Sequence, residues 1–150
     1  MLGTNFASSR AAAEAALRGG ETELKAYTHG GMLEARIQDL RQIVVTISAV
    51  SGPAVQAAAK KATDAGDEQS LATFIDSGWA QAQQIDDRDI TWRASQAPAG
   101  TSLKAAADRA LQTNTAEALS EFASTGQDVA KAHDRRREVY ALTLSLIHIS

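Results

Sequence analysis

The amino-acid sequence repeats one pattern three times, with a period of about 47 residues. In each copy a Leu is followed three residues later by an aromatic residue and four residues after that by Gly. Ala and an Asp-x-Arg motif then follow at two further steps of four. A period of this length is typical of tandem helical units that each pack mainly on their neighbours. The copies read Leu24, Tyr27, Gly31, Ala35, Asp39, Arg41; Leu71, Phe74, Gly78, Ala82, Asp86, Arg88; and Leu119, Phe122, Gly126, Ala130, Asp134, Arg136.

Alanine-rich segments lie between these patterns. Of the 150 residues, 31 are Ala, the residue with the highest intrinsic helix propensity. Two such segments follow Gly52-Pro53 and Gly100-Thr101, and a partial copy covers residues 11–17. Because alanine side chains are small, we expect closely packed helices around a thin core. No segment alternates convincingly between apolar and polar residues, so we expect no sheet.

Each unit is predicted to contain three helices. The first is Ala-rich, the second ends at the step from the aromatic residue to Gly, and the third carries Asp-x-Arg. Glycine is expected to separate the second and third helices, at Gly30-Gly31 and at Gly78. The predicted fold class is all-α, a right-handed helical solenoid of about three three-helix repeats. The predicted helical repeat domain covers residues 8–143, with units at about 8–51, 52–99 and 100–143, behind a disordered segment at 1–7.

The third helix of each unit is predicted from an apolar stripe at helical spacing. In the first unit the stripe consists of Leu33, Ile37, Leu40, Val44 and Ile47. Trp92 aligns with Val45 in the first unit and with Tyr140 in the third, and this alignment predicts a core position for its side chain.

Composition excludes several classes of protein. The net charge is −3 with both signs mixed along the chain, whereas a general nucleic-acid binder needs a basic face. The absence of Cys excludes disulfides and thiolate chemistry. No apolar run approaches the roughly 20 residues that span a bilayer. We therefore expect neither nucleic-acid partners nor insertion into a membrane.

The last seven residues, 144–150, differ in composition from the rest of the chain. They read Leu-Ser-Leu-Ile-His-Ile-Ser, and the genetic code allows them to be written CTG TCT CTT ATA CAC ATC TCN. This resembles the transposase adapter used to prepare sequencing libraries. We interpret the segment as an adapter-derived artefact and exclude it from fold reasoning; the alternative is a genuine apolar helix end.

The repeated residues resemble the alanine–leucine–phenylalanine (ALF) repeat family. The resemblance is carried by Ala-Ala-Leu at 15–17, Ala-Leu at 110–111, the Gly52-Pro53 link, and the aromatic-to-Gly and Ala-to-Asp steps of the second and third units. It covers nearly all of residues 8–140. Departures include Tyr27 in place of Phe and Thr63 where other copies carry Leu. The resemblance implies a tandem-repeat segment of large, mostly secreted actinobacterial proteins, some of which look like polymorphic toxins, and it supplies no catalytic residues.

The recurring acidic and basic residues are the main candidates for a functional site. They form a row that could bind a ligand or partner along one groove, or could instead fix the stacking of helices and repeats through ion pairs. Residues two apart on a helix do not face each other, so we expect each Asp and each Arg to reach a different neighbour. Trp79 is a further candidate as a surface anchor. The candidate binding residues are Asp39, Arg41, Asp86, Arg88, Asp134, Arg136 and Trp79.

No catalytic, metal or cofactor site is predicted. The acidic cluster at 86–89 lacks the glycine turn and spacing of a calcium loop. His29 and His133 occupy different repeat positions and form no zinc-binding pattern. No nucleophile elbow or phosphate-binding loop occurs.

The sequence therefore predicts a non-enzymatic helical-repeat scaffold, a fragment of a larger protein that the resemblance places outside the cell or on its surface. The expected partners are a protein or other domains of the same parent chain. The alternative is a regulatory module that binds a peptide or ligand through the Asp/Arg row.

Overall fold

A computed structural model describes residues 6–148, and nearly all of them are helical, with no strand among them. The predicted all-α repeat fold is confirmed. The first helix begins at Ala7, whereas residues 1–5 of the predicted disordered segment lie outside the described residues. The helices are α1 (Ala7–Gly19), α2 (Glu21–Ala26), α3 (Met32–Ala49), α4 (Pro53–Ala65), α5 (Glu68–Thr73), α6 (Trp79–Ser95), α7 (Ser102–Thr113), α8 (Ala116–Glu121) and α9 (Gln127–His148).

The helices follow the repeat. An Ala-rich helix (α1, α4, α7) is followed by a short helix (α2, α5, α8) and then by a long one (α3, α6, α9). A π-helical turn, beginning at the aromatic residue and ending at the glycine, joins each short helix to the long helix that follows. These turns are Tyr27–Gly31, Phe74–Gly78 and Phe122–Gly126.

The predicted helix breaks at the glycines are wrong for the second and third units. There the backbone stays helical, and the residue after the glycine donates its N–H to the carbonyl of the aromatic residue five positions earlier. Glycine serves a close approach at this point: a Cβ on Gly126 would lie 3.3 Å from Cδ2 of Phe122. Only in the first unit does the helix kink, at Gly30, where φ is 174° and ψ is −30°.

Helix ends match the local sequence signals. Pro53 occupies the first turn of α4, and Gly66 ends that helix in the left-handed conformation with φ of 73°. Asp67 caps α5 by accepting from the N–H of Ser70 (2.8 Å). The hydroxyls of Thr101 and Thr115 cap α7 and α8 in the same way.

The chain divides into two compact units at Gln83/Gln84, each with its own core. The core of the first unit is built from α3, α4, α5, the following π turn and the start of α6. It consists of Leu40, Val44, Val55, Ala59, Ala62, Leu71, Phe74 and Ala82. The smaller core of the second unit consists of Ala107, Ala110, Leu119 and Phe122. Seven of these twelve residues are larger than Ala, so the thin core expected from the composition is reinforced by Leu, Val and Phe side chains.

The long helices bury a narrower stripe than the sequence predicts. Val44 of α3 and Thr91 of α6, which are equivalent by the repeat, are both fully buried. The predicted core position of Trp92 is wrong, because its side chain is 55% exposed, like Val45 at the equivalent position. One residue along a helix turns the side chain by about 100°, which carries Trp92 from the buried face to the solvent flank. Leu33 is also exposed.

The repeat offers a matched test of the core. Leu71 is fully buried in the core of the first compact unit. Leu24, at the equivalent position one repeat earlier, is 43% exposed. We expect Leu71→Ala to destabilise the chain by about 3 kcal/mol, because it leaves a cavity. Leu24→Ala should cost less than about 1 kcal/mol, because less apolar surface is lost. Denaturant unfolding followed by circular dichroism measures both values, and equal losses would contradict this assignment of the core.

Candidate functional site

The carboxylate of Asp39 lies at the beginning of α1. From α3 it accepts hydrogen bonds from the backbone N–H groups of Ser8 and Ser9, one on each oxygen and both at 2.8 Å. The first four N–H groups of any helix lack partners inside the helix. The residue before α1 is Phe6, which makes no side-chain cap. Asp39 therefore supplies from another helix the cap that the local sequence lacks.

Asp134 makes the same contact in the second compact unit. Its two oxygens accept from the N–H groups of Ser102 (2.7 Å) and Leu103 (3.0 Å) at the start of α7. Together with the Thr101 hydroxyl, which accepts from Lys104 N–H (3.2 Å), Asp134 provides acceptors for the amides of the first three residues of α7. The negative charge also opposes the positive end of the helix dipole. The Asp of the repeat thus joins a long helix to the Ala-rich helix of the same repeat.

The pKa values of these carboxyl groups reflect their hydrogen bonds. Partial burial raises the pKa of Asp39, but hydrogen bonds from Ser9 and Ser8 outweigh it and lower the pKa to about 2. The pKa of Asp134 is lowered mainly by the backbone hydrogen bonds from Ser102 and Leu103, with a smaller contribution from the nearby charge of His133. Both residues are therefore carboxylates at neutral pH. Asp86, the third member of the row, is buried in α6 with 6% of its surface exposed.

The arginines of the row point to the other end of an Ala-rich helix. Arg41 of α3 lies against the C-terminal end of α4, where its Nη2 is 2.9 Å from the place that a Cβ on Gly66 would take. Arg88 of α6 donates from Nη2 to Oδ1 of Asn114, the residue that ends α7. Gly66 and Asn114 occupy equivalent positions and both adopt positive φ, 73° and 53°. A cation is favourable at either site, because the last carbonyls of a helix carry partial negative charge.

The Asp-x-Arg motif therefore holds two different helices. Asp39 caps the Ala-rich helix of its own repeat, whereas Arg41 reaches the Ala-rich helix of the next repeat. The expected division of Asp and Arg between different neighbours fits this geometry. Among residues 6–148, no ion pair involves Asp39 or Asp134, whose carboxylates accept from backbone amides instead. Within the first compact unit, an ion pair between Arg36 and Glu68 (2.7 Å) joins the first repeat to the second.

The remaining predicted residues lie at the surface. Arg136 of α9 is exposed, and within residues 6–148 no partner is resolved for its guanidinium; its neighbour Arg137 donates to the carbonyl of Gly100 (3.1 Å). Trp79 at the start of α6 is 40% exposed. Of the row, two carboxylates lie at helix N-termini and two guanidinium groups lie at helix C-termini.

Sequence reasoning missed the groups that the row contacts. The partners of Asp39 and Asp134 are backbone amides, which no side-chain pattern identifies. The partners of the arginines left a signal, since Gly66 and Asn114 are residue types that favour positive φ and each directly follows an Ala-rich helix. Gly20 follows α1 at the corresponding position with φ of 101°, but its ψ of −161° differs from the left-handed conformation of Gly66 and Asn114.

One surface groove of about 440 Å³ lies between α3 and α4. It excludes every predicted site residue. Its lining consists of Val44, Val45, Ser48, Ala49, Gln56, Ala59, Lys60, Thr63 and Asp64. In the described part of the chain, no three His, Cys, Asp or Glu residues lie close enough together to hold a metal ion. None of the described helices is both long and apolar enough to cross a membrane.

Comparison with known proteins identifies one family. The model of the ALF family, described as short repeats of unknown function, matches residues 41–82 and 93–130, which together make up just over half of the chain. Each match begins in one long helix and ends in the next. No curated protein and no solved structure matches the chain.

The cap by Asp39 predicts how stability depends on pH. Because the pKa of this carboxyl is lowered on folding, its contribution is fully present above the unfolded value of about 3.9 and is lost as pH falls through about 2. We expect Asp39→Asn to lower the melting temperature at pH 5, and the difference from wild type to shrink as pH approaches 2. The control is Asp76→Asn, an exposed carboxylate in a π turn. A difference that stays constant across this range would contradict the assignment.

The contact of Arg41 with the end of α4 predicts a ranking of variants. Gly66→Ala should destabilise by about 1–2 kcal/mol, because Ala disfavours the left-handed conformation, and its Cβ would also crowd Arg41. Gly66→Asn should lose less, because Asn adopts this conformation more readily and offers Arg41 the acceptor that Asn114 offers Arg88.

The matched control is Gly100→Ala, whose φ is 83° and whose Cβ would meet no atom within 4 Å. The difference between the two Ala variants in chemical denaturation isolates the contact with Arg41. If Gly66→Asn proves less stable than Gly66→Ala, the proposed equivalence of the two positions is wrong.

Proposed function

Because the chain belongs to the ALF repeat family, we propose that it is a non-enzymatic helical-repeat scaffold, part of a larger secreted or surface protein. Its role is to space or present another domain of that protein, or to bind a partner protein. A polymorphic-toxin-like parent in which the repeats form a stalk is the specific form we favour. The family resemblance supports this setting.

The observation that carries the proposal is the occupation of the repeated charges. A site that binds ligands must leave its polar groups available. In Asp39 and Asp134, however, both carboxylate oxygens already accept hydrogen bonds from backbone amides of the same chain. Arg88 is engaged by Asn114. The strongest pattern in the sequence is therefore used to hold helices in place, as expected of a repeat that serves architecture.

The alternative is a regulatory module that recognises a peptide or ligand through the Asp/Arg row. The observation that favours it is the exposure of Arg136 and Trp79. Such a module would need the rest of the row to release its internal partners before binding, and that requirement makes it the second choice.

Charge reversal of Arg88 separates the two functions. If the row is structural, Arg88→Glu loses the bond to Asn114 and places a negative charge at the end of α7. It should cost about 1 kcal/mol or more, a fall in melting temperature of several degrees. The control is Arg109→Glu, an exposed arginine of α7 whose Nε donates to the carbonyl of Ala105 in the same helix, and it should leave the melting temperature within about a degree.

The same two variants give the contrary outcome for a binding row. An Arg88→Glu protein as stable as the Arg109→Glu control would argue against the scaffold and for the ligand-binding module. A double-mutant cycle with Asn114→Ala tests whether the loss comes from this pair, because a structural contact gives a coupling energy between the two substitutions.

A further inference from the structure

The two contacts between a long helix and the Ala-rich helix that follows it, α3 with α4 and α6 with α7, share polar groups and alanines. Arg41 and Arg88 lie at the C-terminal ends of α4 and α7. Ala59 and Ala107, at equivalent positions of these two helices, are both buried in a core. Neither feature distinguishes α4 from α7. Because exchange of similar elements is a characteristic folding error of repeat proteins, another feature of the sequence must assign each Ala-rich helix to its own long helix.

The two long helices differ in the size of one side chain at these contacts. In the first compact unit, Ile47 of α3 packs against the core to which α4 contributes. The equivalent residue of α6 is Ala94, which packs against the core of the second compact unit, to which α7 contributes. Since Ala lacks most of the isoleucine side chain, α6 presents a flatter surface to its core than α3 does.

The two Ala-rich helices differ in the opposite direction. Val55 and Thr63 of α4 correspond to Leu103 and Leu111 of α7. Val55 is fully buried in the core of the first compact unit, and Thr63 lines the groove between α3 and α4. Both leucines pack against the core of the second compact unit, as Ala94 does. Larger residues on the Ala-rich helix thus accompany a smaller residue on the long helix, as expected if both contacts are filled to similar density.

We propose that side-chain size assigns each Ala-rich helix to its own long helix, so that α3 accepts α4 and α6 accepts α7. With α7 placed on α3, the leucines of α7 would meet Ile47 and crowd the contact. With α4 placed on α6, Val55 and Thr63 would face Ala94 and leave space unfilled. Crowding and unfilled space each cost stability, so the chain selects the order of its repeats. This selection goes beyond the scaffold role and is independent of what the repeats present or bind.

Exchange of residues between the two contacts tests the proposal without changing the composition of the chain. The double variant Thr63→Leu/Leu111→Thr gives each long helix a neighbour of the wrong size. We expect its melting temperature, followed by circular dichroism, to fall by about 5 °C or more, because one contact is crowded and the other is left with a gap. A fourfold variant that adds Ile47→Ala and Ala94→Ile restores a matched pair in each compact unit. It should regain at least about half of that loss.

The matched control is Lys61→Arg/Arg109→Lys, an exchange between equivalent exposed positions of α4 and α7. It should leave the melting temperature within about a degree. A double variant as stable as this control would overturn the proposal. So would a fourfold variant no more stable than the double variant, because the losses would then not depend on the pairing of sizes. If the double variant does not fold, recovery of folding in the fourfold variant supports the proposal, and failure to recover overturns it.

Discussion

The structure depends on how the Ala-rich helices are held at their two ends. A helix of 12 or 13 residues is marginal by itself, and an alanine-rich face buries little apolar area to stabilise it. Such a helix also has free N–H groups at one end and free carbonyls at the other. The long helices meet this need with Asp at the N-terminal end and Arg at the C-terminal end, where each charge opposes the helix dipole. The Asp and the Arg of one motif, two residues apart, thus stabilise two different Ala-rich helices.

This division gives the array a direction. Asp39 ties α3 to the Ala-rich helix of its own repeat, whereas Arg41 ties it to the helix of the following repeat. Apolar contacts follow the same plan, because Val44 and Ile47 of α3 pack against the core that α4 shares. A long helix consequently has one surface for the helix before it and another for the helix after it.

The sequence predicted the elements well because their signals are local. The aromatic-to-Gly step, the proline at the start of α4 and the left-handed Gly66 each act within one turn, and the helix bounds follow them closely. The π turns were missed, since the choice between a break and a wide turn at Gly78 depends on how the Phe74 ring packs in the core. The prediction that Trp92 lies in the core was wrong. Its alignment with Val45 shows that the two residues occupy equivalent positions of the repeat, but not whether those positions are buried. The row of charges was found from its recurrence, whereas the partners of Asp39 and Asp134 are backbone groups about 30 residues away that leave no pattern of their own.

The two resolved arginine contacts also explain which positions of the repeat can vary. Arg88 meets a side-chain acceptor in Asn114, but Arg41 meets Gly66, which has none, and the Nε of Arg41 is buried without a hydrogen bond within the described residues. Both positions share positive φ. The repeat therefore requires a particular backbone conformation at the end of an Ala-rich helix, and the side chain there is less important. The guanidinium adds attraction to the exposed carbonyl end whichever residue provides that conformation. Gly and Asn can therefore replace each other at this position while positive φ is kept.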